Sequence, residues 1–118
     1  MNSKADKSAI IGIAKFFDVE VDSTPGAEQI LLDETVASGK TCRVLTLFFK
    51  SVFPAKWKAT SNGDLIASGF TGPGYPKDIH FWVAGQDTLA GEKLKITAEV
   101  ASNNIVDKIG VHIEARIF

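Results

Sequence analysis

The side chains in this chain that could do chemistry are few, and their spacing is poor for it. His80 and His112 are its only two histidines. Each alternates with aliphatic residues, as in a strand, and falls on the face opposite them. The two would approach if their strands pair. A zinc site would still need one or two more ligands, and only Cys42 and Asp78 offer themselves. Gly39-Lys40-Thr41 has the ending of a phosphate-binding loop. That motif needs a glycine five positions before Gly39, where Glu34 stands, and a helix after it, where a β-rich run begins. A turn is the simpler reading. Asp33 and Glu34 are adjacent, so a strand would point them to opposite faces and spoil a two-carboxylate site. No nucleophile elbow is present, and Cys42 opens an apolar run in which it reads as a small hydrophobe. The expectation is a protein without catalytic residues, metal or cofactor.

Residues suited to contact are easier to find. Gly69 to Pro76 holds three glycines and two prolines, a composition that argues against regular structure. It also carries Phe70 and Tyr75, which would either stack on a sugar or a partner, or anchor the loop to the body. Trp82 alternates with Ile79, Phe81 and Val83. If those three are core, Trp82 faces outward and marks a contact surface. Near the start, Ile10, Ile11 and Ile13 form an apolar stretch behind a charged tip. A small domain can leave such a stretch uncovered, which favours contact with another chain. Its alternative place is the first strand of the chain's own sheet.

These residues need elements to hold them. Phe17, Val19 and Val21 alternate with acidic residues, and period-two alternation marks a half-buried strand. Further strands are expected at Gln29–Leu32, Thr41–Val52, around Trp57 and Ala59, and at Asp64–Ser68. Others follow at Ile79–Val83, Leu94–Val100 and Ile109–Ile117. Asn62-Gly63 between two of them is a hairpin signal, because a tight hairpin turn needs positive φ at both central residues. About eight short strands punctuated by turns predict an all-β fold: a single antiparallel β-sandwich, jelly-roll-like. Residues 1–17 read as an N-terminal arm, with at most one short helix near Ser8 to Lys15. Residues 18–118 read as the sandwich domain.

The chain's 118 residues suit one domain with a real core. Its formal net charge of −1 gives no positive field for nucleic acid. With one cysteine, the chain can form no internal disulfide, which fits a reducing compartment. No apolar run is long enough for a membrane span, and none reads as a secretion signal.

Four phrases carry a resemblance: Val36-Ala37-Ser38-Gly39-Lys40-Thr41, Gly63-Asp64-Leu65-Ile66-Ala67-Ser68-Gly69, Thr71-Gly72-Pro73-Gly74, and Asp87-Thr88-Leu89-Ala90-Gly91-Glu92-Lys93-Leu94-Lys95-Ile96. With the run of short strands, they make the body from Gln29 to Phe118 resemble small β-sandwich virion proteins of tailed bacteriophages. These are head decoration (cement) proteins and small tail modules. The resemblance implies a non-enzymatic virion structural protein, assembled in the host cytoplasm. It would be a homotrimer that stabilises the head through contacts with other virion proteins, the major capsid protein first among them. It brings no catalytic residues. The alternative is a carbohydrate- or receptor-binding module of a phage tail, with a glycan as ligand.

Overall fold

The computed structural model describes residues 12–101 and 106–118. Among them there is no helix. Eight strands follow one another: β1 (Ile13–Asp22), β2 (Glu28–Thr35), β3 (Cys42–Lys50), β4 (Ala55–Ser61), β5 (Asp64–Thr71), β6 (Lys77–Thr88), β7 (Lys93–Val100) and β8 (Lys108–Ile117). They form two antiparallel four-stranded sheets, β1-β8-β3-β6 (sheet A) and β2-β7-β4-β5 (sheet B). β1 pairs with β8, β2 with β7, β3 with β6 and β4 with β5, as in one long hairpin folded at its middle. Wrapping that hairpin on itself brings β8 against β3 and β7 against β4. This is the jelly-roll order, so the expected all-β sandwich is the observed fold.

The fold starts locally where the sequence says it does. The β4–β5 turn places Asn62 at φ 52° and Gly63 at φ 83°, the positive pair that a two-residue hairpin requires. Along β4 the alternation is complete: Ala55, Trp57, Ala59 and Ser61 are buried, while Lys56 and Lys58 are exposed. The partners across β4 explain how a tryptophan fits. Trp57 lies opposite Ala98 on β7 and Gly69 on β5, two small residues that leave room for the indole. Its ring stacks on Phe49 of the facing sheet, with centroids 4.8 Å apart. Around this stack lie Leu47, Leu94, Ile96, Ile109 and Ile113, all fully buried.

Buried polar groups tie the sheets together. Trp57 Nε1 donates to Thr71 Oγ1 (2.7 Å), the Thr71 and Ser51 hydroxyls are hydrogen-bonded, and Ser51 Oγ donates to the Phe53 carbonyl (2.9 Å). The chain of donors runs one way, so every member is satisfied. Thr71→Val keeps the shape but strands the indole N–H. The expected loss of unfolding free energy is about 1–3 kcal/mol in urea denaturation. A loss below about 0.5 kcal/mol would mean that water replaces the hydroxyl.

Three expectations differ from the structure. The strand β1 begins at Ile13, so residues 13–17 take the alternative place, in the chain's own sheet beside β8, and not in an arm over 1–17. The arm's remaining candidates, Ile10 and Ile11, lie outside the described residues. Gly69 to Thr71, expected in a loop, continue β5, because the missing side chain of Gly69 admits Asp78 from β6 where a Cβ would collide with it. Finally, the facing of β6 is inverted. In the β3–β6 register His80 lies opposite Leu47 and Asp78 opposite Phe49. Directly paired residues share a face, and Leu47 and Phe49 are core. Asp78, His80 and Trp82 therefore point inward, and Ile79, Phe81 and Val83 point outward. Polar groups tolerate this because β6 is an edge strand and its inner face borders the sandwich margin beside β5.

Candidate interaction face on sheet A

The inversion of β6 creates the most unusual surface of the molecule. The outward side of sheet A can be read as rows across β1, β8, β3 and β6. One row is Phe16–Glu114–Thr46–Phe81, and the next is Asp18–His112–Phe48–Ile79. Phe81 is 68% exposed, while Phe16 and Ile79 are each more than half exposed. Phe48 lies half-buried between them. Phe16 stacks on His112 with ring centroids 6.1 Å apart. Val83 extends the patch at 82% exposure. It stands in a bulge, since Val44 pairs with Gln86 and Thr46 with Phe81, leaving Trp82-Val83-Ala84-Gly85 opposite Leu45 alone. Such bulges re-aim side chains at sheet edges. A face with this many apolar side chains in adjoining rows exceeds the single exposed hydrophobes of an ordinary surface.

Polar rows flank it. On one side stand Ala14–Arg116–Arg43–Asp87 and on the other Glu20–Gly110–Lys50–Lys77. Arg43 makes a two-pronged ion pair with Asp87, Nε to Oδ1 at 2.7 Å and Nη2 to Oδ2 at 3.1 Å, and its guanidinium lies 4.9 Å from the Phe118 ring centre. In the two middle rows Phe16, Phe48, Ile79 and Phe81 thus interleave with Asp18, Glu114, Thr46 and His112 inside a charged rim, the mixture of apolar and polar groups that a protein contact surface carries.

The outward side of sheet B is different. Its strands present Glu28, Glu99, Lys56, Lys58, Thr97 and Ser68, with Ile30 and Leu65 exposed in separate rows. Phe70 rises from the end of β5, 67% exposed, beside an open hollow of about 460 Å³ lined by those polar residues. Tyr75 is 79% exposed on the tight Gly72–Tyr75 turn, so it does not anchor the loop.

The residues singled out for chemistry do not converge. His80 and His112 are on strands separated by β3, one facing in and the other out, so they cannot share an ion. No cluster of three or more candidate metal ligands occurs among the described residues. His80 joins the aromatic core instead, edge-on to Phe49 and stacked on Trp82, with its buried Nε2 unpaired and Asp78 Oδ2 3.7 Å away. Trp82, expected outside, packs in part against the core. Gly39 and Lys40 lie in the turn between β2 and β3. Ile13, at 77% exposure, is the described part of the expected Ile10–Ile13 contact stretch.

Cys42 is buried, and burial first, then Glu34 and Asp87, pushes its thiol up to about 11 from an ordinary 9.0. The native thiol is therefore expected to react with a disulfide reagent at pH 8 far more slowly than in urea-unfolded chain, since the thiolate is the reactive form. The unfolded state gives up its thiol proton first. Stability should thus fall as pH rises from about 9 to about 11 and show no contribution from Cys42 below 9. Native and unfolded labelling rates that match would refute this burial.

The outer face of sheet A was missed in the sequence for one reason. Ile79, Phe81 and Val83 were visible as alternating hydrophobes, but alternation does not say which face looks inward. Neither a protein-family model nor a curated protein sequence matches the chain.

Proposed function

We propose that this chain is a non-catalytic structural protein that joins a larger protein assembly through the outer face of sheet A. A head decoration (cement) protein of a bacteriophage would work in this way. The observation that carries the reading is the apolar patch of Phe16, Phe48, Ile79, Phe81 and Val83 on a sheet face that would otherwise be wet. Covering it removes apolar surface from water at about 25 cal/mol per Å². The jelly roll and the resemblance to virion proteins support that class by analogy of fold, which alone does not fix function. The rigid two-sheet body suits this role, because a preformed face loses little entropy on docking.

The test is sedimentation of native particles from the protein's source. The wild-type chain is expected to co-migrate with heads. Phe81→Glu should stay at the top of the gradient with an unchanged circular dichroism spectrum, because Phe81 lies outside the core. Wild-type protein absent from every particle fraction would sink the reading.

A second reading has its own support. Phe70 beside the hollow on sheet B offers an apolar ring among amine, carboxylate and hydroxyl groups, the mixture a sugar-binding groove uses. Glycan binding abolished by Phe70→Ala and indifferent to Phe81→Glu would favour this reading over the first.

A further inference from the structure

We infer that the outer face of sheet A pairs with the same face of a second copy of this chain, about a two-fold axis parallel to the strands. The inference rests on the reading that this face is the contact surface, and it names the occupant.

The charge layout selects the occupant and the axis. On the β1–β8 half of the face the outward charges are Asp18, Glu20, Asp22 and Glu114 against Lys108 and Arg116: four carboxylates and two cations. On the β3–β6 half they are Arg43, Lys50 and Lys77 against Asp87: three cations and one carboxylate. One half is thus net negative and the other net positive by the same amount. A two-fold axis parallel to the strands lays β1 of one copy over β6 of the other, so each negative half covers a positive half. An axis across the strands would lay like over like. Only the first arrangement makes the face complementary to itself, as an isologous interface must be.

The rows then match in detail. His112 falls over Phe48 of the second copy on the central strands, and Phe16 over Phe81 of the second copy on the outer strands, which puts aromatic on aromatic in both. Glu20 falls over Lys77 of the second copy at the rim. Across the small Gly110, Lys50 already reaches Glu20 of its own chain at 3.6 Å, and Lys77 of the second copy adds a further cation beside that carboxylate. Arg116 meets Arg43 of the second copy, whose guanidinium already carries its own carboxylate, Asp87. The poorest match, Asp18 over Ile79, lies toward the edge, where the carboxylate keeps water. Every contact occurs twice. Four strands spaced about 4.8 Å and rows spanning about seven residues give a flat face of roughly 20 by 25 Å. That is about 500 Å² per copy and about 1,000 Å² in all, at the lower bound of a specific interface. The pair should therefore dissociate in the micromolar range.

Sedimentation velocity of the full chain across about 1–100 µM provides the test, a range that brackets such a dissociation constant. The expected species is a reversible pair of about 25 kDa, twice the chain mass of 12.7 kDa. Glu20→Lys alone and Lys77→Glu alone should each raise the dissociation constant about tenfold, because each sets like charges face to face twice. The double variant should restore the pair. An equimolar mixture of the two single variants should also restore it, as a mixed dimer. In that dimer the two substituted side chains face each other across the axis with opposite charge, and so do the two native ones. These positions are exposed, so folding is not at stake. A monomer or a trimer at the highest concentration would overturn the inference, as would singles whose defect neither the double variant nor the mixture repairs. If the chain is monomeric yet Phe81→Glu still loses its particles, self-pairing fails and the contact face stands. If Phe81→Glu remains paired and bound, the face itself is wrong.

Discussion

Replacing Trp57 with alanine is expected to cost about 4 kcal/mol of unfolding free energy, a large part of the roughly 5–15 kcal/mol that a domain of this kind possesses. The indole fills the space between the sheets. It stacks on Phe49 at 4.8 Å and is flanked by Ala98 and Gly69, which are too small to close the hole it would leave. Neither neighbour can collapse inward without breaking the ladder it belongs to, so the cavity term adds to the lost transfer energy. Trp57→Phe separates two contributions. It keeps an aromatic ring against Phe49 but removes the Nε1 donor to Thr71, and should cost about 1–2 kcal/mol. Urea denaturation followed by circular dichroism measures both, since Trp82 would confuse a fluorescence signal. If the alanine variant lost less than about 1.5 kcal/mol, the Phe49–Trp57 stack would not be the centre of the core.

Much of this core was legible because burial and period two coincide in the central strands. Ala59 on β4, Leu94 to Val100 on β7 and Ile109 to Ala115 on β8 alternate cleanly and are buried as read, and Trp57, whose pattern fits core or interface equally, is core. Each lies between two neighbours in its sheet, so its inner face is fully covered. Edge strands obey the rule less strictly. In β6 the inner positions hold Asp78, His80 and Trp82, and the outer ones hold the aliphatic series. A slip of one residue would exchange the two sets, and nothing in the strand itself prevents it. What prevents it is the partner: Leu47 and Phe49 on β3 fix the inner face, and Gly69 on β5 provides the space that Asp78 and His80 occupy. Those constraints are non-local, and a reading along the chain has no access to strand order. Phe16 was hidden for a related reason. It sits on the acidic side of β1, among Asp18 and Glu20, and only pairing through β8 and β3 brings it into one row with Phe81.

The two outer faces consequently carry different information. Sheet B scatters Ile30, Leu65 and Phe70 over separate rows among charges, and its ion pair Lys58–Glu28 at 3.6 Å is exposed and contributes little to stability. Sheet A brings Phe16, Phe48, Ile79 and Phe81 into two adjoining rows, and of these Ile79 and Phe81 stand more than half exposed and outside the core. A surface that costs solubility without stabilising its own fold is best explained by something that covers it. The closer grouping of large apolar side chains favours a contact on sheet A, even though Phe70 and Tyr75 are about as exposed as the apolar residues there.

Asp107→Ala should be the second severe variant, at about 3 kcal/mol, even though the residue lies outside every strand. Its carboxylate Oδ2 accepts hydrogen bonds from Val52 N (2.7 Å) and Phe53 N (2.9 Å) in the β3–β4 connection. Its own N–H donates to Ser23 Oγ (2.9 Å), and its carbonyl accepts from Ser23 N (2.8 Å) in the β1–β2 connection. One buried residue thus fastens three connections at the same end of the sandwich. Charge-assisted hydrogen bonds contribute about 1.5–3 kcal/mol each, and alanine would leave two loop donors without an acceptor. Asp107→Asn retains one acceptor oxygen and loses the charge, so it should cost about 1–2 kcal/mol. Ser23→Ala removes only the hydroxyl and should cost about 1 kcal/mol. The same end carries the Trp57–Thr71–Ser51 chain, and Ser51 directly precedes Val52. Losses of Asp107 and Thr71 should therefore be non-additive, differing from their sum by about 0.5–3 kcal/mol, as neighbours sharing one loop do. A double-mutant cycle of Asp107→Ala with Thr71→Val decides it. Strict additivity would mean that the β3–β4 connection is held at two independent points, and an Asp107→Ala loss under about 0.5 kcal/mol would mean that it is not held by this carboxylate at all.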